Sequence, residues 1–163
     1  MTTAALDVNE LIREVLSLLR GDLENHRIGV DAALPDGLPL VSANAVELRQ
    51  VIVNLITNAA DAMSTVMNRQ RLLRLRTQAH EPGGLLITVE DTGSGIDPRH
   101  ADRIFEPFFT TKPVGQGTGQ GLAFVYSTIV KRHGGSVTFE TESDKGTTFV
   151  LRLPLAPRTA ENE

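Results

Sequence analysis

The chain has 163 residues, is 40% hydrophobic and contains no low-complexity run, which fits one globular domain with a core large enough to fold alone. Its 16 basic and 20 acidic side chains leave a formal charge of −4, which argues against non-specific nucleic-acid binding; with no cysteine, disulfides, thiolate nucleophiles and cysteine-held zinc are excluded. No apolar run approaches the roughly 18–20 residues needed to cross a bilayer and no basic-then-apolar leader opens the sequence, so a cytoplasmic protein without membrane contact is expected.

The first element is a helix from Val8 to about Arg27, where Val8, Leu11, Ile12, Val15, Leu16, Leu18, Leu19 and Leu23 recur at helical spacing. Pro35, Gly37 and Pro39 punctuate two short apolar runs, 28–34 and 38–41, that read as strands; Ser42 or Asn44 then caps a helix reaching about Val66. Residues 71–79 (RLLRLRTQA) and 85–91 (LLITVED) are strands of a hairpin closed by HEPGG. From 97 to 120 a short helical piece leads into a Gly-, Thr- and Pro-rich stretch, longer than connections in compact domains usually are, as befits a lid or binding loop. A helix over 121–133 ends at Gly134-Gly135, strands 136–142 and 147–155 flank a turn at SDKG, and a disordered tail is expected over 157–163. This order predicts an α+β sandwich, with helices on one face of a mixed sheet, rather than a doubly wound fold.

The helix of residues 44–66 contains the stretch NLITNAADAM, residues 54–63. At about 100° per residue, Glu47, Gln50, Asn54, Asn58 and Asp61 share a stripe about 80° wide, opposite Ile52, Ile56, Ala59 and Met63. An ordinary solvated face mixes Lys, Arg and Glu, and this stripe has no cation. It is either such a face of unusual composition or a set of oxygen ligands for a hard cation such as Mg²⁺, which commonly bridges to phosphates.

Three further stretches carry chemistry. In VEDTGSGID, residues 89–97, an apolar strand ends at Asp91. An ionised carboxylate only accepts hydrogen bonds, which suits the exocyclic amine of adenine and repels the oxygen of guanine. Gly93 and Gly95 allow the backbone to pass close to a flat base, although a plain strand-to-loop turn would read the same way. In GQGTGQGL, residues 115–122, glycine occupies every second position before a helix. The spacing matches neither the P-loop nor the dinucleotide fingerprint, but the amides of such a run beside a helix N-terminus can cradle a triphosphate; a flexible linker is the alternative. Between them, IFEPFFTTK (104–112) places Phe105, Phe108 and Phe109 to fasten the long loop to the core, and Lys112 where a closing lid could reach a phosphate.

These stretches, in this order, resemble the ATP-binding catalytic domain of two-component sensor histidine kinases, within the superfamily shared with gyrase-, Hsp90- and MutL-type ATPases. The similarity runs from about residue 40 to 155. ELRQVIVNLITNAADAM resembles the asparagine box, EDTGSGI the first glycine box, IFEPFFTTK the phenylalanine box, GTGQGL the second glycine box and GTTF (146–149) the closing glycine-threonine motif. The resemblance implies a Bergerat-type α/β sandwich with a long ATP lid, and ATP with Mg²⁺ as cofactors. It implies that Asn58 ligates Mg²⁺, Asn54 supports the phosphates, Asp91 holds the adenine amine and Thr147 assists through water. Gly93, Gly95, Ile96 and Phe105 are further expected at the nucleotide, with Lys112, Gly117, Thr118, Gly119, Gly121 and Leu122 in the lid. Asn54, Asn58 and Lys112 are the expected catalytic groups. One departure is Gln120, where the second glycine box usually has leucine, and it bears on how the lid packs.

Related enzymes that hydrolyse ATP carry a glutamate four residues before the metal-binding asparagine, as general base. Asn54 stands there, and an amide takes no proton at neutral pH, so the expected reaction is transfer of the γ-phosphoryl group to an imidazole. None of His26, His80, His100 and His133 lies in the acceptor pattern of such kinases. The expected organisation is therefore a helix over 1–27 linking to an absent histidine-bearing dimerisation hairpin, and a catalytic domain over 28–156. The implied partners are that hairpin and a response-regulator receiver domain; the fragment is expected to be monomeric and the full-length protein a homodimer. A superfamily ATPase driving a clamp, against which Asn54 speaks, and a non-catalytic nucleotide-sensing module, for which Gln120 is the only hint, are the alternatives.

Overall fold

The computed structural model describes residues 2–80, 83–107, 109 and 121–156. Among these residues seven strands, β1 (Ala4–Leu6), β2 (Ile28–Ala33), β3 (Val41–Ala43), β4 (Arg71–His80), β5 (Gly84–Asp91), β6 (Ser136–Glu142) and β7 (Gly146–Pro154), accompany three α-helices, α1 (Val8–Asn25), α2 (Ala45–Met63) and α3 (Gly121–Tyr126), and a single 3-10 turn at Ala101–Arg103. Five strands form a sheet in the order β2-β4-β5-β7-β6, in which only β2 and β4 run parallel. The expected mixed sheet with helices on one face is therefore the observed architecture. The long lid expected over the second glycine box lies outside the described residues.

Alternation decides which side of the sheet is covered. Leu73 and Leu75 of β4, Leu85, Ile87 and Val89 of β5, and Phe149, Leu151 and Leu153 of β7 are all buried, each two residues from the next on its strand. Against them lie Leu48, Val51, Ile52, Leu55, Ile56, Ala59 and Met63 of α2, so the apolar stripe read from the sequence is the buried one. Helix α1 joins the same core through Val8, Leu11, Ile12, Val15 and Leu23. A buried polar contact ties it further: Thr77 donates to Asn9 Oδ1 (2.6 Å), whose amide donates to the carbonyl of Pro35 (2.7 Å). The packing is thus continuous across residue 27, where linker and domain were expected to meet.

Three local features differ from expectation. Strand β1 pairs antiparallel with β3 as a separate two-stranded ribbon; at three residues it is too short to show any period. Strand β3 lies at 41–43 instead of 38–41, because Val41 and Ala43 are buried whereas Leu40 is exposed. The helix expected over 121–133 is α-helical only to Tyr126 and continues as wider π turns over Ser127–Arg132, ending at His133 before Gly134. There Arg132 pairs with Glu47 (2.7 Å), and the His133 ring donates from Nδ1 to the carbonyl of Thr128 (2.7 Å) while Nε2 accepts the Asn44 N–H (3.0 Å). The C-terminal end of this helix is thereby fastened to the start of α2.

Asn44 is the N-cap of α2, its side chain accepting the Glu47 N–H (2.9 Å). Asn44→Ala removes that acceptor and is expected to cost about 1 kcal/mol, read as a lower urea midpoint with an unchanged m-value.

Candidate nucleotide site

At one end of the sheet the inward-facing series turns polar. Leu85, Ile87 and Val89 are followed by Asp91, only 5% exposed, and Leu153, Leu151 and Phe149 lead back to Thr147. Asp91 is paired across the ladder with Thr147, and Thr147 with Thr141, so three polar side chains lie side by side where a core would otherwise continue. The hydroxyls of Thr141 and Thr147 are 2.9 Å apart, and Thr141 Oγ1 also accepts the N–H of Ile96 (2.8 Å).

Burial pushes the Asp91 carboxyl up to about 6 from its ordinary 3.8. Hydrogen bonds from the backbone N–H groups of Gly93 (2.8 Å to Oδ1) and Thr147 hold it lower than burial alone would, and the neighbouring Glu90 charge adds a smaller upward push. The carboxylate is therefore ionised at neutral pH yet poorly solvated, a state that a bound hydrogen-bond donor would relieve.

The backbone around Asp91 has no room for side chains. A Cβ on Gly93 would come within 2.7 Å of the Ala62 backbone, and one on Gly146 would run into the carbonyl oxygen of Asp91. Gly146 also has φ +140°, so Gly146→Ala is expected to lower stability by about 1–3 kcal/mol and to displace Asp91, measurable together by urea unfolding and calorimetric titration. Gly146 belongs to the GTTF motif, but its closeness to Asp91 depends on pairing between β5 and β7 that no local pattern reveals.

Helix α2 spans this end of the molecule. Its carbonyl at Ala62 accepts the Ser94 N–H (3.0 Å), so its last turn abuts the loop after Asp91. Two turns earlier, Asn54 donates to the carbonyl of Gly121 (3.2 Å), the first residue of α3, while its Oδ1 accepts from Gln50 (2.7 Å). Asn58 lies between, four residues from each of Asn54 and Ala62 and hence on the same face. Half-buried, its side chain makes no hydrogen bond among the described residues. Asn54 and Asn58 are therefore not equivalent, one being engaged with the protein and the other available to a ligand.

Of the remaining expected residues, Gly95 and Ile96 lie on the loop after Asp91, where the Ser94 carbonyl accepts the Asp144 N–H (2.8 Å). The Phe105 ring is 5.4 Å from Tyr126 and 5.9 Å from Phe139, fastening the segment after the second motif to α3 and β6 as expected. Phe109 stacks edge-on against His100 (5.4 Å) beneath the Arg103 guanidinium (4.7 Å). Leu122 is half-buried in α3. Lys112, Gly117, Thr118, Gly119, Phe108 and Gln120 lie outside the described residues. Among the described residues no cluster of His, Cys, Asp or Glu could hold a metal by itself. An amide such as Asn58, together with a ligand's own phosphates, fits Mg²⁺, which is seldom held in an all-protein cage.

The chain belongs to the family of histidine kinase-, DNA gyrase B- and HSP90-like ATPases, whose sequence model matches residues 43–157. Among similar proteins, the two-component sensor PprA of Pseudomonas aeruginosa is 42% identical over 143 residues, 86% of this chain and 15% of that protein. The catalytic domain of histidine kinase ThkA superposes with a TM-score of 0.83 at 27% identity, covering 96% of this chain and all of that one. ThkA in complex with the response regulator protein TrrA matches at 25% identity and a TM-score of 0.78, covering 95% of this chain and 42% of that one. Full-length ShkA in complex with AMPPNP matches at 30% identity and a TM-score of 0.82, covering 98% of this chain and 32% of that one. The chain spans less than a third of the length of the curated relatives it matches. No helix among the described residues is long and apolar enough to cross a membrane.

Proposed function

We propose that this domain binds ATP with Mg²⁺ and transfers the γ-phosphoryl group to a histidine on a separate dimerisation hairpin, as the catalytic part of a cytoplasmic two-component sensor kinase. The observation that carries the proposal is Asp91, an ionised acceptor in a core position at the mouth of the sheet, flanked by glycine backbone and, among the described residues, facing no counter-charge. Asp91 accepts the exocyclic amine of adenine, with Thr147 beside it. Asn58 would ligate the cation, and Asn54, whose amide donates to the Gly121 carbonyl, would support the phosphates, with Lys112, Gly117, Thr118, Gly119, Gly121 and Leu122 as the further phosphate-side residues that the family motifs imply. When bound, the cation would supply charge neutralisation on the phosphate oxygens.

The lone pair of a neutral acceptor imidazole attacks the γ-phosphorus, the bond to the β–γ bridging oxygen breaks, and ADP leaves. Asn54 cannot act as a base on water, which favours this transfer over hydrolysis. His133 is an unsuitable acceptor because both its ring nitrogens are already hydrogen-bonded, and none of His26, His80, His100 and His133 lies in the acceptor pattern, so the proposal places the acceptor on a separate hairpin. A receiver domain would then take the phosphoryl group, as the presence of a response regulator beside ThkA supports. Calorimetry with ATP, ADP and GTP, with and without Mg²⁺, tests the first half: one site for adenine nucleotides and weak or no GTP binding is expected, and equal affinity for GTP would overturn the assignment of Asp91.

A further inference from the structure

Arg69 lies outside every motif, between the end of α2 and β4, yet its guanidinium grips the loop that follows Asp91. Nε donates to the carbonyl of Thr92 (3.2 Å) and Nη2 to that of Gly93 (2.7 Å), while Nη1 reaches Asn68 Oδ1 (3.3 Å). Its two loop contacts thus go from two nitrogens of one flat fork to consecutive carbonyls, a fixed geometry that the compact ammonium of lysine does not reproduce. Neighbouring bonds set the register: Thr92 Oγ1 accepts the Leu72 N–H (2.9 Å) and donates to the carbonyl of Gln70 (2.8 Å).

The carbonyl of Thr92 and the N–H of Gly93 belong to one planar peptide unit. Arg69 holds its oxygen side, and its N–H side is the donor to Asp91 Oδ1 at 2.8 Å. Holding one edge of the plane fixes the other, and drawing electron density toward the carbonyl strengthens the N–H as a donor. Gly93 has no side chain to hinder rotation of that plane.

We propose that Arg69 is a positioning residue for adenine recognition, acting through the Thr92–Gly93 peptide to aim and stabilise the Asp91 carboxylate. This rests on the reading of Asp91 as the adenine acceptor. Arg69→Ala releases the peptide, so the carboxylate loses a donor and its fixed direction. The groups bearing on Asp91 are the N–H groups of Gly93 and Thr147 and the charge of Glu90, itself paired with Arg74 (3.3 Å). With the Gly93 bond weakened, the pH midpoint below which ATP binding fails moves upward.

The test is calorimetric titration of wild type, Arg69→Ala, Arg69→Lys and Asp91→Asn with ATP and with inosine triphosphate, which has an oxygen in place of the amine, between pH 5.5 and 8. Arg69→Ala is expected to lose about tenfold in ATP affinity with little change for inosine triphosphate, and to show the raised midpoint. Arg69→Lys, which keeps the charge but replaces the planar fork with a single ammonium nitrogen, is expected to fall between, and it carries the test should the alanine variant not fold. Equal loss for both nucleotides, or no loss, in the Arg69 variants overturns the proposal. If wild type does not prefer ATP, or Asp91→Asn retains the preference, the reading of Asp91 itself fails. Preference lost in Asp91→Asn but intact in the Arg69 variants removes the role of Arg69 alone.

Discussion

Asp91→Asn is expected to make the protein more stable at neutral pH while removing most of its affinity for ATP. Below the ordinary carboxylate value of 3.8 the folded and unfolded chains both hold the Asp91 proton, and this group does not make stability depend on pH. Between there and about 6 the unfolded chain gives up the proton first, so stability falls as pH rises. Above about 6 the loss is complete and amounts to on the order of 3 kcal/mol. Asparagine keeps an oxygen for the Gly93 and Thr147 N–H groups but carries no charge, so it avoids that loss. Urea unfolding at pH 7.5 should show a gain of about 1–3 kcal/mol for the variant, shrinking toward pH 4. Its amide would meet the adenine amine donor to donor, so ATP affinity should fall by about ten- to a hundredfold in calorimetric titration. Wild-type binding should also weaken as pH drops below about 6, because the proton on Asp91 must leave before adenine can be held. A variant no more stable than wild type at pH 7.5 would contradict the picture of a charge kept in the core for a ligand.

Asn58→Ala should do the reverse, leaving the fold nearly untouched while disabling the chemistry. The side chain makes no hydrogen bond among the described residues, so its loss should alter stability by no more than about 0.5 kcal/mol. ATP should still bind through Asp91, but its affinity should no longer respond to Mg²⁺, and phosphotransfer should fall by about a hundredfold or more. Calorimetry with and without the cation, followed by a transfer assay, separates the two effects. Persistence of the Mg²⁺ dependence would remove Asn58 from the cation site. Asn54→Ala should differ, since Asn54 is tied to Gln50 and Gly121 and its loss also frees the start of α3.

What could be read from the sequence follows from how local each feature is. The two amides of α2 stand out because helical spacing alone separates Asn54 and Asn58 from Ile52, Ile56 and Met63, and the core lies where that stripe predicts. The hairpins were equally legible, since alternation and turn residues lie within one stretch of chain. The burial of Asp91 was not, because a strand end looks exposed until β7 and the loop from 92 to 96 close over it. Arg69 and Gly146 escaped for the same reason: their partners, Thr92 and Asp91, are brought to them only by the sheet. The π turns before His133 likewise serve contacts with Asn44 and Glu47, more than eighty residues away in sequence.

The reaction type rests on Asn54, and it is tested most directly by following the γ-phosphate of labelled ATP in Mg²⁺ buffer, with and without a separately made histidine hairpin. The expected result is label on the hairpin as an acid-labile, base-stable phosphoramidate, with only slow phosphate release from the domain alone. Rapid, stoichiometry-exceeding release of free phosphate in the absence of any histidine acceptor would contradict the account and identify the domain as a hydrolase.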